Sequence, residues 1–436
     1  MISSFKRLWR DRRGNTLAIA GAALPLVLGS AGLASDTIQW TLWKRQLQRA
    51  ADSAAMAGVY AIAQDRAVGT CTDIAGATYS NPVAYDLKKN NRVNIATTCT
   101  VTNPPSTGGF TSDEYAVRVA LSVQKKLSFS GLFMTNAPTI TAISTATIVP
   151  SGKYCVISLE DQATTGINAS GATGLSLGCG MITNSTSMSA AVATGSANVT
   201  ASPIAAVGGI PASDNWGTGT VLQPFTLAQE DPFANLPIPP YSQSDCKNFP
   251  NNNPQDNIDL SGDPDHQSGD VVCYKTDMFV QGDIVLGSAV YVLDSASLRM
   301  TNNDASLKCN GCTIILTSLN AGSNPGSIGG VTINGGEMDL KAPNTGTYAG
   351  VMIYQDRRAP ANNNVTINGN NQSYTEGAFY FPRADLNFEG TAGMNTNCLQ
   401  IVSRRVTFTG NSGISNVCPS GSGAKSFAGK KIRLVE

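Results

Sequence analysis

The sequence predicts a single N-terminal transmembrane helix that continues into a stalk helix, followed by a mainly-β exported region whose C-terminal part forms a parallel β-helix or solenoid. Three observations predict it. Between Gly14 and Ser35 no residue is charged. From Asp36 to about Gln64, apolar and small residues step by three and four, the spacing of one helical face. Beyond Lys153, short β-branched runs alternate with Gly, Asn and Ser, and one five-residue string recurs, as in stacked repeats.

Composition excludes several functions. The 436 residues carry 30 Lys+Arg and 30 Asp+Glu, a balance that argues against a basic nucleic-acid binder. Only 14% of residues are charged, against roughly 25% in ordinary soluble domains. His266 is the single histidine, so a Ser-His-Asp triad or a multi-histidine zinc site has almost nothing to draw on. Ten cysteines point to an oxidising compartment.

Residues 1–13 read as a cytoplasmic basic segment, with Lys6, Arg7, Arg10, Arg12 and Arg13 against Asp11. The uncharged run 14–35 opens with Gly14 and Asn15 and, at ~1.5 Å rise per residue, reaches about 33 Å, enough for a bilayer core. Basic residues before it and Asp36 after it place the N-terminus inside and the bulk outside. Pro25 falls mid-span, where a kink is tolerated. Trp40 and Trp43 follow where an interfacial aromatic belt is expected. The competing reading is a signal peptide cleaved near AGLAS, but the run exceeds a usual signal core and the helical pattern continues past it.

In the stalk, 36–66, the residues Trp40, Trp43, Leu47, Ala51, Ala54, Gly58 and Ala61 share a face made mostly of small side chains. Such a face permits close helix approach. It packs either on this chain's own domain or on a partner's helix, and periodicity does not choose.

Residues 67–150 form a small α/β or β-rich region. Val117, Val119, Leu121 and Val123 alternate with Arg118, Ala120 and Ser122 as in a half-buried strand, and TITAISTATIV (139–149) reads as another. KKLSFSGLF between them reads as a connection, with contact to a membrane surface as the rival. A β-rich block covers 151–202. Residues 203–275 concentrate prolines, among them Pro237, Pro239 and Pro240, and read as an insertion or linker. The block 276–436 is solenoid-like: VTING at 331–335 and 365–369 and VTFTG at 406–410 give spacings taken as two turns each of a coil of about 20 residues. A β-sandwich of short strands is the rival.

The cysteines are Cys71, Cys99, Cys155, Cys179, Cys246, Cys273, Cys309, Cys312, Cys398 and Cys418. Sequence does not fix their connectivity. The simplest scheme pairs neighbours: 71–99, 155–179, 246–273, 309–312 and 398–418. Cys309-x-x-Cys312 encloses Asn310-Gly311, turn chemistry that favours a structural bridge over a redox pair or half a zinc site. Asn257, Asp259, Ser261, Asp263 and Asp265, with Gly262 at the sixth position, have the spacing of a calcium loop, but position twelve is Ser268 rather than Glu, so a solvated acidic loop is the expectation. Asp294, Asp304, Asp339, Asp356 and Asp385 are scattered carboxylates that nothing in the sequence converges into a glycosidase or lyase pair. The turn at Gly410-Asn411-Ser412-Gly413 lacks the nucleophile-elbow pattern. No catalytic residue and no cofactor is assigned, and Tyr354-Gln355-Asp356-Arg357 reads as a strand end with a salt bridge.

The segment from Arg12 to Val59 resembles the N-terminal module of TadE/TadG-like Flp (tight adherence) pilus-assembly proteins. The resemblance is carried by RRGN at 12–15, the apolar span, Asp36 and the string LQRAADSAAMAGV (47–59). The family reads close to LQ-x-AAD-x-AALAGA, matched by Leu47, Gln48, Ala50, Ala51, Asp52, Ala54, Ala55, Ala57 and Gly58. VRVALSVQKKLSFSGLF, CVISL, DPFANLPIPP, GTYAGVMIYQDR, GAFYFP and CLQIVSRRVTFTGNSG extend it loosely over most of the chain. Two departures matter. Five residues after Gly14 stands Ile19 where a processed prepilin has Glu, and Asp294-Ser295-Ala296-Ser297 does not have the spacing of a von Willebrand A metal motif. The resemblance therefore implies the β-rich TadG-like type. Its expected role is a non-catalytic component of Flp pilus assembly in the bacterial inner membrane, with periplasmic bulk. Expected partners are inner-membrane lipid, other Tad/Flp proteins and further copies of itself in a homo-oligomer, and no nucleic acid. A tethered adhesin or glycan-binding solenoid is the alternative.

Overall fold

The computed structural model describes residues 13–71, 78–91, 98–250, 253–361, 363–369, 373–390, 395–410, 414–415, 418–419, 421–424 and 426–436. The chain divides into two units, Met1–Val149 with Ile432–Glu436, and Pro150–Lys431.

The first unit is built on α1, Arg13–Ile62, one helix of 50 residues with Pro25 inside it. It is long and apolar enough to cross a membrane. Its first half exposes Leu24, Leu26, Val27 and Leu28. Its second half buries one stripe against a three-stranded antiparallel sheet. In that sheet β2 (Val117–Gln124) lies between β1 (Thr98–Thr102) and β3 (Thr139–Ser158). Val117, Val119, Leu121 and Val123 alternate inward and meet Leu47, Ala51 and Ala54 in one core. Helix α2 (Pro82–Lys89), capped by the Asn81 side chain on the Ala84 N–H, adds Val83 and Leu87 to it. The short helix α3 (Ser130–Phe133) follows β2. The chain's end closes the unit: Thr145 N–H donates to the Glu436 carbonyl at 2.9 Å, and Arg118 pairs with the Glu436 side chain at 3.1 Å.

The second unit is dominated by parallel strands. Val271–Tyr274, Val290–Asp294, Thr313–Thr317 and Val351–Gln355 pair in succession. A second series runs through Met278–Val280, Leu298–Met300, Val331–Asn334 and Asn363–Gly369. A third runs through Asn257–Asp259, Asp283–Leu286, Ser306–Asn310 and Glu337–Lys341. All three continue into the long strand Tyr374–Gly390, which pairs with Asn395–Gly410. The next neighbours of Asn395–Gly410 come from far earlier in the chain: Ile401 lies opposite Val156 and Val406 opposite Ile167. The ladder then proceeds to Gly180–Thr183, Ile204–Ala206 and Leu222–Gln223. The chain thus enters the stack in the middle, builds to one end, crosses to the other end and builds back to its entry point.

Two expectations are corrected by this topology. Residues 203–275 are no linker between two blocks, because they contain strands at both ends of one ladder and the blocks pair directly. Only the stretch between Gln223 and Asn257 crosses outside, as a strap. The repeated strings are also spaced differently. Thr332 and Ile333 lie opposite Thr366 and Ile367, so the first spacing is one step between paired parallel strands. Val365 lies opposite Leu386 and Leu386 opposite Val406, so the second spacing is two such steps.

The strap explains why some strands are buried throughout. Thr313–Thr317 and Val351–Gln355 are buried along their whole length, as parallel strands covered on both faces must be. Ile314 and Leu316 point to the main core. Ile315, Tyr354 and Tyr380 point the other way, beneath Phe233, Leu236 and Ile238 of the strap.

Candidate functional site

The most distinctive residues of the sequence lie on α1, and the structure assigns them to packing within their own unit. Leu47, Ala50, Ala51, Ala54 and Ala55 have no exposed surface. Small side chains here bring the helix backbone close to β2. Gly58 marks the tightest approach: a Cβ there would sit 2.8 Å from Val117 Cγ1, 3.1 Å from Val68 Cγ1 and 3.3 Å from Val83 Cγ2. The face left open between own domain and partner helix is therefore covered by own domain.

Polar groups fix the docking. Gln48 Nε2 donates to Asp52 Oδ1 at 2.8 Å, one helical turn on, and to the Ile143 carbonyl at 3.0 Å. Lys44 Nζ donates to the Thr141 carbonyl at 2.5 Å. Both reach backbone carbonyls of β3. Ser53 donates to Asp86 Oδ1 on α2 at 3.1 Å, and the same buried carboxylate accepts from Asn90 and Asn91.

Asp36 is buried at the start of the stalk, and its Oδ2 accepts the Ser130 N–H at 2.5 Å. That bond holds its carboxyl below the usual value, against the opposing effect of burial. One turn earlier the Phe129 ring lies on Gly32, where a Cβ would come within 2.1 Å of Cδ1. Trp43 is buried and Trp40 half-buried in the helix–sheet core, so their rings serve that core where a belt at the membrane interface was expected. Gly14, Asn15 and Pro25 belong to the apolar half of the helix.

Each cysteine is bonded: Cys71–Cys99, Cys155–Cys179, Cys246–Cys273, Cys309–Cys312 and Cys398–Cys418. Cys309 is the next-to-last residue of one strand and Cys312 directly precedes the next, with Gly311 at φ +90 between them. The pair is a strand-to-strand turn. Cys246–Cys273 ties the strap to the strand Val271–Tyr274.

Along the strap, hydrogen bonds tie it in succession to the strands and loops beneath. Asn184 Nδ2 donates to the Gln229 carbonyl, Tyr380 Oη to Asp231, Tyr354 Oη to the Leu236 carbonyl, Tyr348 Oη to the Pro237 carbonyl, and Tyr241 Oη to Asp294. Burial pushes the Tyr348 and Tyr354 phenols up to about 12, and Tyr380 higher still through burial and the Asp231 carboxylate. The Arg357 guanidinium lies over the Tyr354 and Tyr380 rings at 5.8 and 5.3 Å.

The acidic residues do not converge. Asn257 and Asp259 lie on a ladder strand. The Asp259 carboxylate accepts from Ser261 N–H and Oγ, and Asp263 caps the turn at Asp265. Among the described residues, no three His, Cys, Asp or Glu side chains are grouped to hold a metal ion. Asp356 is bound by Arg358 and by the Thr317 hydroxyl at 2.6 Å. Burial would raise its carboxyl, but these donors hold it below the usual value. Asp385 grips Arg404 at 2.6 Å and Arg405, both of which also lie near Glu160 at 3.8 and 3.7 Å. This network seals the seam where the last strands meet the first. Asn411, Ser412 and Gly413 lie outside the described residues.

Sequence reasoning missed Lys44, Ser53, Asp86 and Ser130 as docking groups. Lys44, Ser53 and Ser130 bond to partners on segments distant in the chain, and no local pattern encodes those contacts.

Residues 14–65 match the family model described as putative Flp pilus-assembly TadE/G-like. No curated protein and no solved structure matches the chain.

Proposed function

We propose that this protein is a non-catalytic, membrane-anchored component of Flp/Tad-type pilus assembly. The observation that carries the reading is the family match over 14–65, which falls on a helix long and apolar enough to span a bilayer. The first half of α1 crosses the inner membrane with its N-terminus cytoplasmic, and the bulk lies outside, where five disulfides are stable. The second unit is a β-solenoid, a reading supported by its successive parallel pairings and by the strap laid along them. Because the small-residue face of α1 is occupied, partner helices contact the opposite face, where Ile38 and Leu42 are exposed.

Deletion of the coding sequence tests this. Loss of pili, restored by the full chain but not by a chain lacking 14–35, is the expected result. Normal pili with weakened surface attachment would overturn it in favour of a tethered adhesin.

A further inference from the structure

We propose that the segment 127–134 is a second, interfacial membrane contact that dips into the outer leaflet beside α1. The inference rests on the reading of 14–35 as a membrane span. From Leu127 to Asn136 the chain carries no charged side chain, and Lys125 and Lys126 stand directly before it. Leu132 and Phe133 are each 75% exposed, and Met134 and Phe129 also present surface. A loop of a protein bathed only in water has no reason to hold two large apolar side chains outward on one short helix.

Its position supplies the occupant. Phe129 is seated on Gly32, and the Ser130 N–H is tied to Asp36. Gly32 lies within the uncharged run, three residues before its end, which at ~1.5 Å per residue is about 5 Å below the exit level of the span. Interfacial segments bury their apolar face about 5–10 Å into the headgroup boundary. The loop is therefore held at the depth where Leu132 and Phe133 meet acyl chains, with Lys125 and Lys126, both exposed, placed to reach anionic headgroups. The double tie to α1 also restricts how the first unit leans on the bilayer.

The test uses the full oxidised chain in vesicles of phosphatidylethanolamine and phosphatidylglycerol. An environment-sensitive fluorophore is attached through Leu132→Cys or Phe133→Cys, with Val27→Cys as a reporter of the span and Met188→Cys, exposed in the second unit, as a water reference. Lipids brominated along their acyl chains supply the quencher. Quenching and a blue shift at 132 and 133 like those at 27, with none at 188, is the expected result. Quenching at 27 with 132 and 133 behaving like 188 overturns the interfacial contact and leaves the span intact. No quenching at 27 overturns the span and the contact together. Tryptophan emission matching the unlabelled chain establishes that each variant is folded.

Discussion

Gly58 gives the sharpest mutational prediction. An added Cβ would lie 2.8 Å from Val117 Cγ1, with Val68 and Val83 methyls at 3.1 and 3.3 Å. Three sides are closed, and all three neighbours are β-branched and stiff. Alanine here forces α1 away from β2 by several tenths of an ångström. Overpacking of this kind costs about 1–3 kcal/mol, and the better helix propensity of alanine returns about 1 kcal/mol. Gly58→Ala should therefore destabilise the first unit by about 0–2 kcal/mol, and Gly58→Leu, with three further carbons and no space, should cost more than either figure. Gly29, where nothing lies within 4 Å of the added atom, is the control. Urea unfolding in detergent reads the effect through Trp40 and Trp43, which sit in this core. A Gly58→Leu chain that unfolds at the wild-type midpoint, or a Gly29→Ala chain that loses as much, would refute the packing argument.

Three other outcomes follow from the second unit. Asp385→Asn removes the negative charge shared by Arg404 and Arg405 and sets an amide N–H against a guanidinium; it should cost about 1.5–3 kcal/mol, seen as a lower unfolding midpoint that a further change at a distant surface carboxylate does not reproduce. Replacing Cys246 and Cys273 by serine frees the strap and should cost about 2–4 kcal/mol, with new proteolytic cleavage between Gln223 and Asn257. Burial pushes Tyr154, Tyr274, Tyr348 and Tyr354 each up to about 12. Unfolded tyrosine titrates near about 10, so this stability is complete below that pH and is lost as pH rises from about 10 through 12. Near-ultraviolet absorbance should show these phenols ionising together with unfolding, and smooth ionisation in the folded protein would contradict their burial.

The first unit was largely legible because its signals are local. The uncharged run, the stepped small residues and the alternation at Val117 to Val123 each report burial within a single element. What covers the Leu47–Gly58 face was not legible, since a helix stripe has the same period whether it meets a strand 60 residues away or another protein. The strand-rich character of the second unit was visible in its short β-branched runs, but the order of its strands was not. The pairing of Ile401 with Val156 joins strands at opposite ends of the unit's sequence, and no local pattern encodes that closure. The prolines between 224 and 256 dominate the local sequence signal. Their neighbours Leu222, Asn257 and Val271 are ladder strands too short to stand out against the proline signal. The calcium-like spacing at 257–265 falls partly on extended backbone, since Asn257 to Asp259 is a strand and the Asp259 carboxylate bonds Ser261.

The central claim is that α1 anchors the chain and meets assembly partners through the face its own domain leaves open. Photoreactive residues at Ile38 and Leu42, compared with Leu47 and Ala54, test it most directly in intact membranes. The account predicts adducts to pilus-assembly proteins from Ile38 and Leu42 and only intramolecular adducts from Leu47 and Ala54. Partner adducts from Leu47 and Ala54, with none from Ile38 and Leu42, would contradict it.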